Sequence, residues 1–109
     1  IMYLGGRTAE SSELIRGMAV ASIKMVTDSI NAFVAHDVAG ARAVIDYDDV
    51  VDGFFRRVKQ AIISLIAAHP DDGEYALDLL MIAKYFERIG DHAVNIAEWV
   101  VFSVTGEHF

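Results

Sequence analysis

Glu87, Asp91, Asn95 and Glu98 stand at spacings of four, four and three. On a helix, at about 100° per residue, that spacing gathers their side chains within roughly 80° of arc. Acids lined up in this way repel. The row costs helix stability unless something positive, most simply a metal ion, sits between them. A second acidic group lies upstream at Asp48, Asp49 and Asp52. Asp48 falls on a row whose other members, Val44, Val51, Phe55, Val58, Ile62 and Leu65, are all apolar, and Asp52 follows it at i+4 on nearly the same face. A buried unpaired aspartate is expensive, so one in this position wants a cation, an arginine or strong hydrogen bonds. Carboxylate oxygens suit a hard or borderline cation.

Three long helices are expected to position these groups. The first runs from about Thr8 or Ser11 to Ala35, with an apolar seam of Ile15, Ala19, Ile23, Val26, Ile30 and Phe33. His36 and Asp37 break it, and Asp37 is placed to cap the next helix, which extends to about Ala68. Pro70 stops that helix, and Asp71 with Glu74 three residues on has the spacing of a capping box. The third helix runs from about Asp72 to Val104 with Gly106 as its stop, and its seam reads Tyr75, Leu79, Ile82, Phe86, Ile89, Ala93, Ile96 and Val100 at steps of four and three. Short joints between long helices predict an all-α, antiparallel up-down-up three-helix bundle. Residues 1–109 read as one domain, with 1–6 and the pair Gly5–Gly6 as the end of a joint. Counted back and forward from the second joint, Asp52 and Glu87 come level, so the two acidic pairs face one another at similar height. Gly90, inside the third helix, costs about 1 kcal/mol against alanine, which predicts a close helix approach or room for a ligand beside the acids.

Composition narrows the chemistry further. There is no cysteine, which removes disulfides, thiolate metal sites and cysteine nucleophiles and is in keeping with a cytoplasmic setting. The net charge is −7, and the basic residues are scattered apart from Arg56, Arg57 and Lys59, which argues against a nucleic-acid or anionic-lipid surface. The longest apolar run, Ala61 to Ala68, is far short of a membrane span, and the opening residues lack the pattern of a signal peptide. The start at Ile1 is that expected of a piece of a longer polypeptide.

The stretch IAKYFERIGDHAVNIAEWVVF (82–102), preceded by IDYDDVVDGFF (45–55), resembles the C-terminal repeat of the PhoU family of bacterial phosphate-signalling regulators, and MAVASIKMVTDSINAFVAHD (18–37) extends the likeness over almost the whole chain. The resemblance implies a three-helix bundle, one of two repeats in the family. It also implies two metal motifs of the form E(D)-x-x-x-D, here Asp48 with Asp52 and Glu87 with Asp91. Asp49, Asn95 and Glu98 are secondary candidates beside them. The implied cofactor is a multinuclear metal cluster, iron first and zinc or another divalent cation next. By the same resemblance the role is regulatory and non-enzymatic: cytoplasmic, held at the inner face of the membrane through partners, and restraining the phosphate-starvation response. The implied partners are the ATPase of the phosphate ABC transporter and a phosphate-sensing histidine kinase of a two-component system; a homodimer is a further expectation. Only one repeat is present.

Two rival readings remain. A metal-free interaction bundle would leave the four acids as a solvated face paired with Arg88, Arg56 or Lys84. A di-iron carboxylate enzyme would need Glu-x-x-His pairs, and Gly90 stands where the histidine after Glu87 should be. No phosphate-cradling glycine loop is present. Arg88 reads as a surface ion-pair residue and His92 as half-buried; His36, His69 and His108 read as helix-end residues, and Met18 and Met25 as core. The apolar end formed by Trp99, Val100, Val101 and Phe102 exceeds what one helix face can bury, which suggests core for a second repeat or a dimer surface.

Overall fold

The computed structural model of the chain describes residues 6–106, with side chains from residue 10 onward. Its helices are α1 (Gly6–Ala35), α2 (Val38–Ala68) and α3 (Gly73–Thr105), with a single 3-10 turn at Pro70–Asp72 between the last two. Each is about thirty residues long, and each packs against both others along a body of 52 × 21 × 16 Å. The expected up-down-up bundle is what forms. α1 begins at Gly6, inside the stretch expected to be a joint, while residues 1–5 and His108 lie outside the described residues.

The helix ends follow local chemistry. Asp37 caps α2, its Oδ1 accepting from the Gly40 amide at 3.0 Å. Gly106 closes α3 in the left-handed region at φ 82°, where its amide donates to the Phe102 carbonyl at 2.8 Å. The capping box expected at Asp71 and Glu74 does not form. Pro70 winds Asp71 and Asp72 into the 3-10 turn, and Asp72 becomes the N-cap of α3 without a side-chain hydrogen bond.

The seam of α2 is as the sequence predicts, with Val44, Val51, Val58, Ile62 and Leu65 buried. Those of α1 and α3 are turned by one residue. The buried row of α1 is Ser11, Met18, Ser22, Met25, Ser29 and Ala32, so Met18 and Met25 are core as expected. Ile23, Ile30 and Phe33, expected inside, are 61%, 49% and 50% exposed. On α3, Leu79, Ala93 and Val100 are buried as expected, but Ala76, Ala83, Gly90 and Ala97 take the places expected for Tyr75, Ile82, Ile89 and Ile96. The physical reason is size. Small residues let the backbones approach closely, and the large aliphatic side chains move to the flanks.

The buried serines are satisfied within this close packing. Ser22 Oγ donates to the Phe86 carbonyl across the α1–α3 contact at 3.0 Å, and Ser29 Oγ to the Val26 carbonyl at 2.8 Å. On the α2 side, Gly17 leaves a slot for the Phe54 ring, which a Cβ there would strike, and the Arg57 guanidinium lies 4.7 Å from the centre of that ring. By length and composition alone, α1 from Glu10 to Ala35 could cross a membrane, although no continuous apolar run in the sequence approaches that length. In the fold its inner row is bundle core.

Candidate metal centre

α2 and α3 bring the four motif acids together across their contact. Asp48 and Asp52 are half-buried on α2, and Glu87 is half-buried and Asp91 exposed on α3. The strongest cross-helix charge on Asp52 is Glu87, and on Asp48 it is Asp91, as antiparallel helices in this register demand. Asp48 points at the α3 backbone: its Oδ1 lies 3.6 Å from where a Cβ on Gly90 would sit.

The electrostatics are those of an under-neutralised group. Burial, followed by Asp52, Asp91, Asp49 and Glu87, pushes the Asp48 carboxyl up to about 6. Burial and then Glu87, Asp91 and Asp49 raise Asp52 too, with Arg56 the opposing influence. Glu87 is better served, since Lys84 Nζ donates to it at 2.8 Å. Lys84 also lies 5.1 Å from the Phe55 ring, with Lys59 Nζ 5.6 Å from the same ring. The Phe55–Lys59 contact went unread in the sequence, although its i,i+4 spacing could have shown it.

The secondary candidates divide. Asp49 is exposed, and its charge acts on both Asp48 and Asp52. Asn95 is exposed and lines a groove between α1 and α3 with Ile30, Phe33, Ile96 and Trp99, away from α2. Glu98 is half-buried about 10 Å along α3 from Asp91 and is not among the charges acting on Asp48 or Asp52. His92 is exposed, not half-buried as expected, and Arg88 lies 5.7 Å from the Tyr85 ring.

The donor set is chemically suited to a hard or borderline cation, being carboxylate oxygen throughout. Among the described residues, however, no three acids or histidines converge closely enough to share one ion. The acids are gathered, not closed.

Gly90 is buried between Met25, Asp48 and Val51, and a Cβ there would meet each at 3.5–3.7 Å, ordinary contact. The backbone packing therefore does not require glycine. Gly90→Ala should raise the stability of the metal-free chain by about 1 kcal/mol, the usual helix-interior gain, readable in a urea melt.

Residues 15–100 match the PhoU domain. The chain belongs to the PhoU family. Similar proteins include PhoU homolog 1 of Thermotoga maritima, a phosphate-specific transport system accessory protein, at 33% identity over 94 residues, 86% of this chain and 40% of that protein. The PhoU homolog of Zymomonas mobilis is 37% identical over 84 residues, 77% of this chain and 35% of that protein. That of Pseudomonas aeruginosa is 34% identical over 83 residues, 76% of this chain and 34% of that protein. This PhoU-family chain thus spans about two-fifths or less of the length of these relatives. No solved structure matches it.

Proposed function

We propose that this PhoU-family chain acts as an accessory regulator of phosphate uptake and phosphate-starvation signalling, and that Asp48, Asp52, Glu87 and Asp91 hold metal ions between α2 and α3. Iron is the first candidate, with zinc or another divalent cation next. The observation that carries the metal reading is the facing of two half-buried aspartates by Glu87 and Asp91, with burial and mutual repulsion lifting Asp48 to about 6. A bound cation supplies the positive charge these oxygens lack. Rotation of half-exposed carboxylate side chains would close them on it. The relatives' shared name, phosphate-specific transport system accessory protein, supports the regulatory half of the proposal. Within it the role is non-enzymatic, and the partners are the transporter's ATPase and a phosphate-sensing histidine kinase. The place of action is the cytoplasm at the inner face of the membrane.

The mechanical consequence is a clamp. Neutralising four carboxylates locks α2 against α3, and metal occupancy then biases which partner the outer faces engage. The competing metal-free interaction bundle draws its support from the Lys84–Glu87 pair and the unclosed acids. A chelator separates the two readings. The metal-loaded chain should lose about 10 °C of melting temperature on stripping, as expected for release of a ligand held well above its Kd in a domain of this size. An unchanged melt would favour the plain bundle.

A further inference from the structure

The half-buried Phe55 ring of α2 gathers two cations. Lys59 Nζ, from the next turn of the same helix, lies 5.6 Å from its centre, and Lys84 Nζ, from α3, lies 5.1 Å from it. Either contact alone is an ordinary cation–π pair. Together they hold two like charges at one ring with a single carboxylate between them. That carboxylate is Glu87, which accepts from Lys84 at 2.8 Å; among the described residues Lys59 pairs with no acid. The other bases of this region are engaged elsewhere. Arg56 acts on Asp52, Arg57 lies over Phe54 and Arg88 over Tyr85. The result is a local excess of positive charge on a chain of net charge −7, directly beside the acids.

Glu87 joins this pair of lysines to the metal reading. Its carboxylate is shared between Lys84 and the charge of Asp52 across the helices, and it cannot serve Lys84 and a bound cation fully at once. When the acids are loaded, Lys84 loses its partner, and two ammoniums are left at one ring with no carboxylate of their own. They repel each other, and an anion placed between them is attracted by both and by the loaded acids' cation as well. A small tetrahedral oxyanion meets all of these demands. Its oxygens match a hard cation, and each ammonium is a compact charge that any of them can engage.

We propose, resting on the metal reading above, that Lys59 and Lys84 over Phe55 form with the loaded acids a site for free inorganic phosphate. Lys84 is its switch, tied to Glu87 in the empty chain and released once that carboxylate is taken. Metal and phosphate then favour one another by the same factor. Equilibrium dialysis against labelled phosphate tests this on chain loaded with iron and freed of excess metal, beside chain stripped by chelator. The loaded chain should bind phosphate at least about tenfold more tightly, and phosphate should slow loss of iron to the chelator. Sulfate, a poorer ligand for a hard cation, should displace the label only weakly. Lys59→Met and Lys84→Met should each keep the wild-type amount of iron and lose about tenfold in phosphate affinity. Arg57→Met, on the Phe54 side, should change neither. Iron-loaded chain that binds phosphate no better than stripped chain would overturn the proposal and leave the metal reading standing. So would lysine variants of unchanged affinity, or sulfate competing as well as phosphate. A chain that takes up no metal would overturn both.

Discussion

Asp48→Asn should raise the melting temperature of the metal-free chain at neutral pH by about 5 °C, a gain of roughly 1 kcal/mol in a domain of this size. The gain follows from the lifted carboxyl. Asp48 holds its proton up to about pH 6 in the folded chain, against 3.8 ordinarily. Between those values the folded state binds a proton that the unfolded state has released. Its contribution therefore favours folding below pH 4, declines as pH rises to 6, and is flat above. The full shift would amount to about 3 kcal/mol, but the group is half-exposed and solvent screening reduces this to about 1. Asp52, raised in the same direction, adds to the same slope. Differential melts of wild type and Asp48→Asn between pH 4 and 8 isolate the effect: the gap should open across pH 4–6 and stay constant above it. The substitution that stabilises the empty bundle should also weaken its hold on metal, the trade expected of a site kept for binding at the expense of stability.

The second large effect concerns the face of α3 that the sequence hides. Ala83→Leu should destabilise the bundle by about 2–3 kcal/mol, since Ala83 is fully buried and the three added carbons must push helices apart. Ile82→Ala, one residue away at 41% exposure, should cost under about 1 kcal/mol. Urea melts of the two single variants make the comparison. A larger loss at Ile82 would restore the seam that hydrophobicity alone suggests.

Those neighbouring positions show what was legible and what was not. Helix number, order and ends followed from local signals that act alone, such as the Asp37 cap, Pro70 and Gly106. The α2 seam was readable because its large apolar residues and its buried face coincide. On α1 and α3 they do not. Ser22, Ser29, Ala83 and Ala97 are buried because they are small, a requirement set by the neighbouring helices and invisible within one helix. The wide apolar arcs then offered the larger side chains as a plausible seam one step round. The same partial legibility governs the acids. Asp48 stood out as the one charge on an apolar row, and counting residues from the joint placed Asp52 level with Glu87. Asn95 shows the limit of the count, because each step of four turns about 40° further round a helix. Two steps from Glu87 carry it out of the α2–α3 contact.

The central claim, that Asp48, Asp52, Glu87 and Asp91 bind metal, is tested most directly by elemental analysis of the chain purified without chelator or histidine tag, beside Asp48→Asn and Glu87→Gln. The account predicts iron or another transition metal at one or more equivalents per chain in the wild type, and a marked loss in both variants. A metal-free wild type that stays so after incubation with excess iron, zinc and manganese would contradict it.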